Sequence, residues 1–187
     1  MRPVTRELLL RGSRFDVVGI DLPGRDGKHH RREFIEHPGA VVLLPLLDGD
    51  RVVLIENNRP AVGEVLLELP AGTRDRCSDG SAEPVLETAA RELTEETGYT
   101  STDLSIVCEF YSAPGLGNES MHLVLARDLT PGPQQLETTE HIVTRILTRE
   151  QIRSLVLEHQ IRDAKTLIGL QMLLFQLDGS SVEGVDT

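Results

Sequence analysis

Residues Ala40–Leu47 form a run of eight apolar side chains in a chain that is 26% charged. A strand with two apolar faces has no side to offer water, so this one lies centrally in a sheet. Eight residues fall far short of the roughly 20 that a membrane-spanning helix needs. Asp48-Gly49-Asp50 then turns the chain into a second strand, Arg51–Glu56, and Val65–Leu69 makes a third that Pro70 stops. Further strands are predicted at Leu104–Tyr111, Met121–Ala126 and Val143–Leu147. Upstream, Phe15–Asp21 and His29–Glu36 flank the turn Pro23–Gly27 and predict a hairpin that forms its own small sheet.

Three helices are predicted. Pro84–Thr97 opens on a proline, carries Val85, Ala89 and Leu93 as an i,i+4 apolar stripe, and ends before Gly98. Glu150–Glu158 and Ala164–Leu177 follow, the latter with Asp163 as its N-cap. Residues 1–38 read as a β-appendage, 39–178 as the main domain and 179–187 as a flexible tail.

Bulk numbers narrow the partners. The 187 residues suit one domain, and 39% hydrophobic content suits a soluble core. A net charge of −11 argues against nonspecific binding to nucleic acid or an anionic membrane. It also means that an anionic substrate needs local help from a metal or from arginines. Cys77 and Cys108 sit in unlike settings, a polar loop and an apolar strand, and read as reduced thiols. Leu8-Leu9-Leu10 behind Glu7 makes a poor signal peptide, so the expected location is cytoplasmic.

The chemistry concentrates in Arg91-Glu92-Leu93-Thr94-Glu95-Glu96-Thr97-Gly98-Tyr99. On a helix Glu92 and Glu96 are one turn apart and Glu95 lies on an adjoining row, so the three can face one point. Like charges at i,i+4 cost a bare helix roughly 0.2–0.5 kcal/mol. Such a face either is solvated or holds a divalent cation. No lysine balances these acids at i+4, and the helix is entered from a glycine-containing loop after a buried strand. Both details favour the cation. A hard cation such as Mg²⁺ takes carboxylate oxygens and borrows other ligands from water and substrate phosphates.

The segment resembles the Nudix box: Gly, five residues, Glu, seven residues, Arg-Glu-aliphatic, any, Glu-Glu, any, Gly-aliphatic. Glu83, Arg91, Glu92, Leu93, Glu95, Glu96 and Gly98 fall in place, and Tyr99 takes the final bulky position. One element departs. The glycine expected six residues before Glu83 is Cys77, whereas Gly72 stands eleven before it, which reads as a five-residue insertion with Gly72 as the family glycine.

The resemblance implies an α+β Nudix fold, with a mixed sheet sandwiched between helices. It implies Glu92 and Glu96 as principal metal ligands, Glu95 as a further ligand or a water-orienting group, and the Ala71 carbonyl as a backbone ligand. Mg²⁺ is the implied metal, with Mn²⁺ as a substitute. Arg91 and Glu83 look like a structural ion pair; Arg91 could instead hold Glu95.

Three further segments look like the ADP-ribose pyrophosphatase branch. These are Glu68-Leu69-Pro70-Ala71-Gly72, the loop Ser112-Ala113-Pro114-Gly115 with Asn118-Glu119, and Ile161-Arg162-Asp163-Ala164-Lys165-Thr166. By that likeness Pro114 and Glu119 touch substrate, and Glu140, ahead of Glu137, is the loop acid that helps deprotonate water. Arg59 sits near the diphosphate, and Arg32 with Glu33 holds the adenine across a homodimer interface. The six histidines show no metal-ligand spacing. The expected activity is Mg²⁺-dependent hydrolysis of ADP-ribose, or a close ADP-sugar, to AMP and a sugar phosphate. The rival readings are a Nudix hydrolase of another nucleotide and a non-catalytic nucleotide sensor.

Overall fold

In the computed structural model, which describes residues 6–177, two sheets and three helices follow the order β1(Arg6–Arg11), β2(Asp16–Pro23), β3(His29–Glu36), β4(Ala40–Leu47), β5(Arg51–Arg59), β6(Glu64–Glu68), β7(Ala71–Thr73), α1(Val85–Thr97), β8(Tyr99–Tyr111), β9(Ser120–Pro131), β10(Ile142–Thr148), α2(Arg149–Leu157) and α3(Ala164–Leu177). The expected tail at 179–187 lies outside the described residues. Among the described residues no helix is long and apolar enough to cross a membrane.

The apolar run is central. β4 pairs in parallel with β9 along Ala40–Pro45, and β5 lies on its other side in the order β10-β5-β4-β9-β8. On that second side β4 changes partners: Ala40–Val42 pair with β7, Leu43 N–H bonds the Pro70 carbonyl, and only Leu46 and Leu47 pair with β5. The other ladders are antiparallel, so the sheet is mixed.

Alternation along β4 sends its side chains into two cores. Val42 and Leu44 join Leu54, Leu69, Leu123, Ile152 and Leu170 beneath α2 and α3. Leu43 points the other way and packs with Val124, Ala126, Ala89 and Leu93 beneath α1. The sheet is therefore sandwiched between helices. Leu93 is fully buried, and trimming such a leucine to alanine costs about 2–5 kcal/mol.

The N-terminal region is a three-stranded sheet, β1-β2-β3, rather than a two-stranded hairpin. β1 was not foreseen, because Leu8-Leu9-Leu10 has no polar alternation, and all three leucines are exposed. This sheet meets the rest of the chain at the 112–119 loop: Ile35 N–H bonds the Leu116 carbonyl and Asn118 N–H bonds the Ile35 carbonyl.

Helix starts and stops follow local chemistry. α1 ends at Gly98 in the left-handed region (φ 76), where a Cβ would lie 2.4 Å from the Gly132 carbonyl oxygen. α2 opens with a capping box between Thr148 and Gln151. Asp163 accepts the Thr166 N–H at 3.0 Å at the start of α3.

Candidate active site

Along α1, Thr88, Glu92 and Glu96 are buried at successive i+4 positions, a row beside the Ala89–Leu93 stripe. That row faces β7. Ala71 N–H donates to Glu96 Oε2 at 2.8 Å. Gly72 lies directly against Glu92, leaving no room there for a side chain. Strand β7, antiparallel to the start of β4, thus holds the backbone of Ala71 and Gly72 on the carboxylates.

Arg91 organises the acids from the other side. Its Nη2 donates to Glu83 Oε2 at 2.9 Å and to the Thr73 carbonyl at 3.3 Å, and its Nη1 donates to Glu92 Oε1 at 2.7 Å and to Glu95 Oε2 at 3.0 Å. Both sequence readings of Arg91 are therefore present in one side chain. The hydrogen bond from Arg91, aided by Thr88, holds the Glu83 carboxyl below its ordinary value. Gly98 closes the helix that carries Thr88, Arg91, Glu92, Glu95 and Glu96.

Burial raises Glu92 to about 7 against the opposing pull of Arg91. Burial likewise raises Glu96 to about 8; the Ala71 N–H opposes this, while the charges of Glu92 and Glu140 add to it. Two buried carboxylates with so little cationic balance fit a divalent cation, which would favour their ionised forms. Among the described residues no three His, Cys, Asp or Glu side chains form a ready-made cage. Arg91 draws Glu92 and Glu95 toward itself. Glu92, Glu96, Glu95 and the Ala71 carbonyl are the donors that could hold a metal.

These groups line a cleft of about 560 Å³. Its volume is that of a small-molecule site. Glu140 lines it too and lies close enough for its charge to act on Glu92 and Glu96, while its Oε2 accepts the Glu137 N–H at 3.0 Å. Glu137 also lines the cleft. Glu119 enters from the 112–119 loop, where Ser112 Oγ donates to it at 2.6 Å. Pro114 is exposed and outside the cleft lining. Its segment makes a turn, Leu116 N–H to the Ala113 carbonyl, that carries the loop back to Glu119.

Arg59 lines the cleft wall and is held by a two-pronged ion pair with Glu68, at 2.8 and 2.6 Å. Glu68 is fully buried and also accepts from Lys165 Nζ at 2.6 Å. Lys165 in turn bonds Asp163, which accepts the Thr166 hydroxyl, and Thr166 Oγ1 accepts the Leu69 N–H. Asp163 lies low despite burial, because Lys165 and Thr166 outweigh the desolvation. Sequence reading found Arg59 but not its partners. Glu68 and the 161–166 segment stood out only by family likeness and Asp163 as an N-cap, and the contact of Lys165 to Glu68 spans 97 positions.

Arg32 and Glu33 stand apart. Both are exposed on β3, outside the cleft lining, and Arg32 donates to the Arg31 carbonyl. The insertion is a small hairpin: Arg76 bridges Ala82 and Cys77 N–H bonds the Ser81 carbonyl. Cys77 is exposed on it, while Gly72 makes the close approach to the acids.

Comparisons with known proteins bear on the family and the fold. Residues 36–168 match the NUDIX domain. The chain is 32% identical over 174 residues to an ADP-ribose pyrophosphatase of Bacillus subtilis, covering 92% of this chain and 91% of that protein. It is 34% identical over 188 aligned positions to an ADP-ribose pyrophosphatase of Escherichia coli O6:H1 (91% and 86% covered), and 30% identical to a methanol dehydrogenase activator of Bacillus methanolicus (87% and 85% covered). The crystal structure of an ADP compounds hydrolase superposes with a TM-score of 0.77 at 24% identity, over 95% of each chain, which speaks for the fold. The chain belongs to the Nudix family and is a Nudix pyrophosphohydrolase resembling the ADP-ribose pyrophosphatase branch.

Proposed function

We propose that this protein hydrolyses the diphosphate of ADP-ribose, or a close ADP-sugar, to AMP and a sugar phosphate, with Mg²⁺ as its metal and Mn²⁺ as a substitute. Nudix hydrolases generally use divalent cations. The observation that carries the reading is the pair Glu92 and Glu96, buried against the backbone of Ala71 and Gly72 in the lining of a cleft. The ADP-ribose pyrophosphatases among the relatives support the substrate.

Glu92, Glu96, Glu95 and the Ala71 carbonyl are the groups that hold the metal. When bound, the metal neutralises charge on the diphosphate and lowers the pKa of water. Glu140 is our preferred proton acceptor for the attacking water, because it lines the cleft beside the acids while Glu95 is engaged by Arg91. Arg59, fixed by Glu68, offers its outer face to a phosphate oxygen. Arg91 and Glu83 set the helix and loop geometry, and Glu119 contacts the distal part of the substrate. Catalysis is then mainly electrostatic and positional.

Arg32 and Glu33 can serve only from elsewhere than their own chain's cleft wall, which fits their reading as an adenine clamp lent by a second copy. We accordingly propose a homodimer built through residues 1–38, a cytoplasmic location, and no nucleic-acid or membrane partner. A panel of ADP-ribose, ADP-glucose, UDP-glucose and an oxidised nucleoside triphosphate, assayed for products with and without Mg²⁺, tests the reading. AMP from ADP-ribose only with metal supports it. Preference for another member replaces the substrate, and no turnover of any member favours a nucleotide sensor.

A further inference from the structure

The cationic groups that line the cleft fall into two sets. Near the acids, Arg59 and Lys165 are balanced by Glu68 and Asp163, and Arg91 by Glu83, Glu92 and Glu95. The same cleft is also lined by Arg14, Arg74 and Arg76. Among the described residues Arg14 and Arg74 have no acidic partner within ion-pair distance, and Arg76 has only Asp16, at a long 3.5 Å with the arginine side chain 55% exposed. The whole chain carries −11. Three arginines with so little local balance, gathered in one cleft, focus a positive potential there.

Their placement is built. Arg74 and Arg76 belong to the segment inserted ahead of Glu83. Arg74 is half-buried and fixed through Nε to the Glu83 carbonyl at 2.7 Å, beside Gly39. Asp16, 6% exposed, ties the insertion to the N-terminal sheet by meeting Arg76 with one oxygen and accepting the Gly12 N–H with the other, at the base of the turn that carries Arg14. Along β7 the step from Ala71 to Arg74 is three residues, roughly 10 Å at about 3.3 Å per residue. That is the scale separating a diphosphate from the far side of an attached sugar. Two further acids of the cleft lining are otherwise engaged: Asp75 leans toward Arg91, and Glu119 is held by Ser112.

We propose that Arg14, Arg74 and Arg76 form a subsite for a phosphomonoester on the substrate, so that the preferred substrate is a phosphorylated nucleoside diphosphate derivative. The proposal rests on the Nudix reaction assigned above and deepens its substrate class. A phosphomonoester suits the site better than a carboxylate, because it carries about −1.5 to −2 charge and three strong acceptor oxygens, which three guanidinium groups can share. Either group flanking the diphosphate, the adenosine or the terminal sugar, can carry that phosphate.

The test uses non-hydrolysable α,β-methylene ADP-ribose and two esters of it, one phosphorylated on the terminal ribose and one on the adenosine ribose. Binding to the full chain is measured by calorimetry with Mg²⁺ present. One ester is expected to bind about tenfold more tightly than the parent. That advantage should fall to about twofold or less in R74A/R76A, and part of it should be lost in R14A, which removes a side chain with no ion-pair partner among the described residues. Circular dichroism melts establish that the double variant folds, and R14A decides if it does not. Equal affinity for all three analogues overturns the subsite, as does an advantage that survives the substitutions. Failure of the underlying reaction is separate: it shows as no AMP released from hydrolysable ADP-ribose, a result that calorimetry with the analogues does not depend on.

Discussion

Gly72 and Glu92 occupy the same small volume: a Cβ on residue 72 would stand 1.8 Å from Glu92 Cδ. The backbone of β7 and the carboxylate of α1 can come together only because that side chain is missing. Gly72→Ala should therefore push Glu92 off its position while leaving both hydrophobic cores intact. We expect a loss on the order of a hundredfold in kcat/KM, a weaker response to Mg²⁺, and a melting temperature within a few degrees of wild type. Steady-state kinetics with metal titration checks this, and near-normal turnover would remove Gly72 from the account.

The buried acids set a pH dependence for the metal-free protein. Burial raises Glu92 to about 7 and Glu96 to about 8, from an ordinary 4.5. The folded state then holds more protons than the unfolded state between about 4.5 and 8. The stability contributed is present below 4.5 and is lost as pH rises through 7 and 8. Urea melts in EDTA should show declining stability across that window. Mg²⁺ should restore more at pH 8.5 than at pH 5, because ligands must be deprotonated to bind it. A flat profile in EDTA would contradict the burial of these charges.

The network around Glu68 predicts a different phenotype. Glu68 is fully buried between Arg59 and Lys165. Removing its charge in Glu68→Ala leaves the buried Lys165 with Asp163 as its remaining acidic partner, and breaking a buried pair costs up to about 3–5 kcal/mol. Glu68→Gln with Lys165→Met should recover part of that stability but not the orientation of Arg59, so KM should stay raised. Chemical denaturation and kinetics on the same variants separate the two effects.

Much of this was legible in sequence because the signals were local. The two-faced apolar run placed β4 at the sheet centre, and the i,i+4 stripe with Gly98 behind it bounded α1. Other elements were not legible. β1 carries three consecutive leucines without alternation, and β7 is three residues long. β8 begins at Tyr99, earlier than the apolar pattern, in a polar stretch that its partner β9 holds in register. The Glu68–Lys165 contact depends on α3 docking across the sheet, a long-range event that local patterns do not encode. The 112–119 loop likewise brings Glu119 to the cleft and leaves Pro114 outside it, a division that its turn geometry makes.

The central claim is that Glu92 and Glu96 hold the metal on which hydrolysis depends. The most direct measurement is AMP release from ADP-ribose by wild type and Glu96→Gln across an Mg²⁺ titration, with folding checked by circular dichroism. The account predicts metal-dependent turnover in wild type, and in the folded variant a rate lower by about two to three orders of magnitude. Wild-type-like turnover in a folded Glu96→Gln protein, or turnover in wild type that persists in excess EDTA, would contradict it.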